Sequence, residues 1–178
     1  MRSIADFAAA HIPGALSIEL RPVFSSWLGW LVEPDQPLIF VIAEDQDRAD
    51  LVRQCLTVGY EQLVGELDGG LDAWRAAGLP FGSIELVDSS KLGATVLDVR
   101  QDNEYETGHI PGVVHVELGA LPDAPLPQGP VTVMCGHGER AMTGASILGR
   151  RGCHDLAVLA GGPGDWSVRT GMPLETSV

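Results

Sequence analysis

Lysine is nearly missing from this chain. Its 178 residues include one lysine, Lys91, against ten arginines, and the formal net charge is −13. No basic cluster exists, which excludes the electrostatic footprint of a nucleic-acid binder. The acidic excess is shared about equally by the two halves and reads as a solubility feature. Long apolar runs are also lacking. Proline, glycine or charge interrupts every stretch before the roughly 18 residues that a membrane helix requires. The first residues show no basic region followed by an apolar core, as a secretory leader would. Cysteine is scarce: Cys55, Cys135 and Cys153 are odd in number and widely spaced. A disulfide framework is therefore not expected, and the setting is read as reducing and cytoplasmic. Cys153-His154 is a tempting metal pair, but the other histidines and cysteines lack ligand spacing, so no metal site is expected.

What the chain does contain is an internal repeat. Ala10-His11-Ile12-Pro13-Gly14-Ala15 matches Gly108-His109-Ile110-Pro111-Gly112-Val113. The apolar run Leu38-Ile39-Phe40-Val41-Ile42 matches Val131-Thr132-Val133-Met134, and Arg48-Ala49 matches Arg140-Ala141. Gly69-Gly70 with Trp74 matches Gly161-Gly162 with Trp166, and 21 residues separate the arginine from the first glycine in both halves. A period of about 92 residues is too long for a solenoid and suits two tandem domains. They are expected at 1–80 and 84–178, joined through Leu79-Pro80-Phe81-Gly82-Ser83. In each, short apolar strands alternate with helical patterns, which predicts an α/β fold with a mostly parallel sheet flanked by helices. In the second half the spacing predicts strands at Thr95 to Val99, Val113 to Val116, Val131 to Met134 and Leu156 to Leu159. Helical patterns fall at Glu104 to Glu106, Ala141 to Arg151 and around Trp166.

The halves differ in two ways. Aligning the His-Ile-Pro-Gly blocks sets Met1 opposite Val99 and Arg2 opposite Arg100, so the strand equivalent to Ala94 to Asp98 has no counterpart in the first half. The chain is accordingly read as a fragment or as having a misplaced start, with another segment or a second molecule covering the bare sheet edge. The second difference is the loop Cys135-Gly136-His137-Gly138-Glu139-Arg140, which joins a strand to a helix where open α/β sheets place their chemistry. Its glycines allow backbone N–H groups to turn inward, and the helix N-terminus adds partial positive charge. Both favour a thiolate, the nucleophilic form of cysteine. The residues by themselves also allow a buried structural cysteine on a Gly-rich turn. The matching first-half segment, Ala43-Glu44-Asp45-Gln46-Asp47-Arg48, has neither nucleophile nor glycine and carries three acids.

Leu97-Asp98-Val99-Arg100, Glu104-Tyr105, Gly108-His109-Ile110-Pro111-Gly112, Cys135-x-x-Gly138-x-Arg140, Gly161-Gly162 and Trp166 together resemble a rhodanese, or sulfurtransferase, domain. The first half resembles the same family without its cysteine. Ser26-Trp27-Leu28-Gly29-Trp30-Leu31 and the segment from Cys135 to Thr143 further resemble the tandem rhodanese region attached to certain metallo-β-lactamase-fold hydrolases. That hydrolase is the implied partner, although its His-x-His-x-Asp-His metal motif is not in this chain.

The resemblance implies that Cys135 takes a sulfane sulfur from thiosulfate or a small-molecule persulfide and passes it to a thiol or cyanide, with no cofactor. Gly136, His137, Gly138, Glu139 and Arg140 form the implied substrate loop. Arg140 is expected to hold the loop through a salt bridge to Asp98 or Glu104, and Asp98, Arg100 and Glu104 to be structural supports. His137 either steers an anionic donor or is simply solvated. Glu139 is expected to repel thiosulfate, which would favour a small persulfide. Two rival functions remain at this point. One is a phosphatase, whose loop in related folds has five residues between cysteine and arginine where this chain has four. The other is a non-catalytic interaction or sulfur-relay module. His11 and His109, present in both halves, are read as turn residues, Cys55 as core, and Trp74 and Trp166 as packing the last helix of each half.

Overall fold

The computed structural model describes residues 2–177; Met1 and Val178 lie outside the described residues. The second half forms a five-stranded sheet with every pairing parallel. Its strands are β3 (Glu85–Val87), β4 (Thr95–Asp98), β5 (Val114–His115), β6 (Val131–Met134) and β7 (Leu156–Leu159), in the spatial order β3-β7-β6-β4-β5. β6 lies at the centre and is buried at all four positions. A strand covered on both faces reads as continuous apolar sequence, and Val131-Thr132-Val133-Met134 does so. β3 was not foreseen, because three residues between a glycine turn and Asp88 are too short to show a period.

One face of this sheet carries helix α6 (Glu139–Arg150), of which eight consecutive residues, Ala141 to Leu148, are buried. Met142 and Leu148 pack there with Val99, Val133 and Val158, each large side chain contributing about 1.5–3 kcal/mol by burial. The other face carries α7 (Pro163–Thr170), whose Trp166 joins Ile110, Met134 and Leu159. Helix α5 (Asp102–Thr107) follows β4 and is longer than the expected single turn, because Gln101 and Glu104 form a reciprocal capping box at its start.

The first half is a reduced version of the same plan. β1 (Leu38–Phe40) pairs parallel with β2 (Leu63–Glu66), and among the described residues these two strands make up its sheet. Helices α2 (Phe24–Leu31) and α3 (Arg48–Thr57) cover one face, where Phe24, Trp27, Leu28, Leu51, Cys55 and Tyr60 form a separate core. The other face leaves Ile39 and Val64 68% and 63% exposed. α4 (Gly70–Ala76) ends the half, with Trp74 only half-buried and its indole N–H donating to the Pro80 carbonyl at 2.8 Å. Trp74 thus ties down the junction, whereas Trp166 packs on the sheet.

The covalent order of the halves is not their packing order. Helix α1 (Ile4–Ala9) lies against β3 and α6, and its Phe7 and Ala8 belong to the second-half core. Thr143 Oγ1 donates to the Ser17 carbonyl at 2.6 Å, and Ser17 N–H donates to Ser146 Oγ at 3.0 Å, both buried. The two His-Ile-Pro-Gly turns are built alike. His11 Nδ1 lies 3.0 Å from the Phe7 carbonyl and its ring stacks on Phe7; His109 Nδ1 lies 3.0 Å from the Tyr105 carbonyl and its ring stacks on Tyr105. Each histidine forms an antiparallel bridge to the segment that closes its half, at Gly82 and Glu175. No helix among the described residues is long and apolar enough to cross a membrane.

Candidate functional site: the Cys135 loop

β6 ends at Met134, and the chain turns through residues 135–138 into α6. Cys135 is 1% exposed, at the floor of this turn. The Gly138 N–H donates to Cys135 Sγ at 3.1 Å. Gly138 holds φ at +103°, a backbone conformation that an L side chain resists. It is also the N-cap of α6, with no side chain capping the helix. The first N–H groups of α6 are therefore left without side-chain partners at the mouth of the loop, beside the sulfur. A second close approach completes the floor. A Cβ on Gly162 would lie 2.4 Å from the Gly136 carbonyl oxygen, so a side chain there would push the start of α7 away from the loop.

Arg140 does not face the sulfur as a free cation. Its guanidinium grips the Glu104 carboxylate through two hydrogen bonds, at 2.5 and 2.8 Å. The pairing holds the Glu104 carboxyl below its ordinary 4.5, chiefly through the hydrogen bond from Arg140, and pushes the Arg140 guanidinium further up. Asp98 makes a separate pair with Arg100, buried at 0% and 8% side-chain exposure. Arg100 then reaches the carbonyls of Glu104 and Gly108. The supports thus form a relay of contacts from β4 through α5 to the loop: Asp98 fixes Arg100, Arg100 fixes the backbone of α5, and α5 presents Glu104 to Arg140.

The rim of the loop is built by both halves. His137 is exposed and stands between two clefts. One, of about 260 Å³, is lined by Arg21, Trp27 and Trp30 from the first half and by Gln101, Glu139 and Arg140 from the second. The other runs past Gly136 to Ser89 and the start of α7 at Pro163. Glu139 forms an ion pair with Arg21. Its charge therefore has a partner from the other half. Arg21 and Gln101 were not foreseen at this site. Trp27 and Trp30 have no counterparts in the second half, and here they stand at the seam between the halves.

The matching first-half loop is filled differently. Arg48 Nη1 donates to the carbonyls of Ala43, Glu44 and Gln46, at 3.0, 3.0 and 2.8 Å, and its Nε donates to Glu66. Asp47 caps α3 by accepting from the N–H groups of Ala49 and Asp50. This loop turns carbonyls inward around its own arginine.

Comparison with known proteins gives one family, the rhodanese-like domain, matched by residues 1–77 and again by 84–169. A putative sulfur carrier protein, YrkF, of Bacillus subtilis is 29% identical over 140 residues, covering 68% of this chain and 75% of its own. The thiosulfate sulfurtransferase GlpE of Pseudomonas fluorescens is 38% identical over 88 residues, 48% of this chain and 79% of its own. Among solved structures, a rhodanese-related protein from Thermoplasma volcanium is 22% identical, covers 52% of this chain and 99% of its own, and superposes with a TM-score of 0.45.

Proposed function

This chain belongs to the family of rhodanese-like domains, which it matches through both halves, and on that footing we propose that Cys135 is the nucleophile of a sulfurtransferase. The thiolate attacks the outer sulfur of thiosulfate or a small persulfide. The donor's S–S bond breaks, and sulfite or a thiolate leaves with the bonding electrons. A persulfide, Cys135–S–S⁻, remains. An acceptor thiol, as thiolate, or cyanide then attacks the outer sulfur, and the Cys135 thiolate is regenerated. No oxidant or reductant is consumed. The observation that carries the reading is the Gly138 N–H directed at Sγ at the uncapped start of α6, because a persulfide anion needs N–H donors around it. The clamp of Arg140 by Glu104 supports a positioning role for Arg140. A reducing, cytoplasmic setting would keep the thiol free.

A second reading is favoured by the rim. Exposed Trp30, with Arg21 and His137 beside the loop mouth, suits a protein surface as sulfur donor or acceptor. In that reading the chain is a sulfur relay for a metallo-β-lactamase-fold hydrolase. The same experiment separates the two. Intact mass is measured after exposure to thiosulfate and, separately, to glutathione persulfide, with Cys135→Ser as control. One added sulfur, absent in the variant and discharged by cyanide, supports the nucleophile; no adduct with either donor overturns it. Thiosulfate:cyanide turnover by the chain alone favours the free enzyme, and turnover only with the hydrolase present favours the relay.

A further inference from the structure

The cleft at the seam between the halves carries a charge pair that the transfer of a bare sulfur atom does not need. Its two walls are unlike. One is a face of α2, formed by the N-cap Val23 with Trp27 and Trp30. Their spacing, four residues and then three, sets them on one side of the helix. Val23 and Trp30 are 42% and 49% exposed, so an apolar, aromatic wall is left open at the mouth of the Cys135 loop.

The opposite wall is polar and includes His137, Glu139 and Arg140. Arg140 is committed to Glu104 by two hydrogen bonds. Glu139 pairs instead with Arg21, and these side chains are 25% and 42% exposed. Ion pairs in such contact with water are held weakly and exchange readily with solutes. The pair engages Arg21 through Nη1, and the guanidinium fork has further donors for a second carboxylate. The cleft encloses about 260 Å³. At about 30 Å³ per water that is room for about nine waters, and so for a ligand of about that many non-hydrogen atoms, as an amino-acid persulfide has.

We propose, on the reading of Cys135 as a sulfurtransferase nucleophile, that this cleft selects a zwitterionic amino-acid thiol and its persulfide, with cysteine as the type. The ligand carboxylate lies on Arg21, its ammonium lies on Glu139 beside Trp30, and its sulfur meets the Cys135 loop. One weak ion pair is thereby replaced by two, and the ammonium gains the face of an indole. Thiosulfate and cyanide have no ammonium to offer Glu139. As acceptor, the cysteine thiolate attacks the outer sulfur of Cys135–S–S⁻. Cysteine persulfide forms, the enzyme's S–S bond breaks, and the Cys135 thiolate leaves with the electron pair. As donor, cysteine persulfide passes its outer sulfur to the Cys135 thiolate by the reverse of these steps.

The test uses the full chain with Cys135 loaded with sulfur from thiosulfate or glutathione persulfide and the donor then removed. Discharge is followed by intact mass with cysteine, with cysteamine, which lacks the carboxylate, with 3-mercaptopropionate, which lacks the ammonium, and with glutathione, which is too large for the cleft. Rates are compared per thiolate, so that differences in thiol acidity drop out. Cysteine is expected to discharge the persulfide at least about tenfold faster than any of the other three. Arg21→Gln should erase most of the preference over cysteamine, and Glu139→Gln most of the preference over 3-mercaptopropionate. Equal rates for cysteine and its two truncated forms would overturn the proposal, as would a preference that survives both substitutions. Faster discharge by glutathione than by cysteine would overturn the amino-acid size. A chain that loads sulfur and discharges it indiscriminately overturns this inference alone, whereas a chain that loads no sulfur from either donor overturns the sulfurtransferase reading beneath it.

Discussion

The two strand-to-helix loops, 43–48 and 135–140, occupy the same place in the repeat and have opposite polarity. The first turns three carbonyls toward the guanidinium of Arg48. The second turns the Gly138 N–H toward a sulfur and sends its arginine outward to Glu104. A cavity lined by carbonyls and filled by a cation cannot take an anionic persulfide; one with N–H groups at a helix N-terminus can. Cysteine is thus not the whole difference between the halves. Changing Ala43 to cysteine would put a thiol where the backbone presents the wrong dipoles.

The largest effect is therefore expected at Cys135. Cys135→Ser should abolish the sulfur adduct and lower thiosulfate:cyanide turnover by at least about a hundredfold, whereas Ala43→Cys should form no adduct that cyanide discharges. An adduct on Ala43→Cys would break the comparison. Next come the arginines. Arg140→Gln leaves the partly exposed Glu104 carboxylate without its partner. It should cost about 1–2 kcal/mol of stability after solvent screening and reduce turnover by roughly tenfold, read by denaturant unfolding and steady-state kinetics. Arg48→Gln should lower stability comparably and leave turnover within about twofold, since its loop carries no chemistry.

Gly162→Ala tests the close approach to the Gly136 carbonyl. It should destabilise by about 1–3 kcal/mol and raise KM more than it lowers the unfolding midpoint of the first-half core. A smaller effect concerns pH. Glu104 is held below its ordinary 4.5 in the folded protein, so its pairing with Arg140 contributes fully above that value and is lost as pH falls through the folded pKa. Wild type should therefore lose stability more steeply below about pH 4.5 than Glu104→Gln does, as measured by thermal unfolding across pH 3–6. The smallest effect is at Cys55, which is fully buried on α3 and whose thiol burial pushes up to about 11. At pH 8 it should resist iodoacetamide far longer than the half-buried Cys153, as read by peptide mass spectrometry.

Much of the second half was legible because its signals are local. Val131 to Met134 and Leu156 to Leu159 read as strands from apolar runs bounded by turn residues, and both match the observed elements residue for residue. The His-Ile-Pro-Gly turns read as structural because both halves keep them. β5 is shorter than expected, at two residues rather than four: Val113 N–H turns back to the Ile110 carbonyl, and Val116 N–H makes one last bond to the Asp98 carbonyl as β4 ends. The ion pair of Glu139 with Arg21 was not legible, because the two are 118 residues apart in sequence.

Sequence alone determined the repeat, the α/β alternation and the position of the cysteine loop, because periodicity, glycine and turn chemistry act over a few residues. Only the tertiary structure decided which carboxylate Arg140 takes, since Asp98 and Glu104 lie on neighbouring elements and the buried Arg100 claims the first. It also decided that Arg21, Trp27 and Trp30 reach the rim of a loop in the other half, and that α1 packs into the second-half core. These outcomes depend on where distant surfaces meet, and close packing fixes that for the chain as a whole.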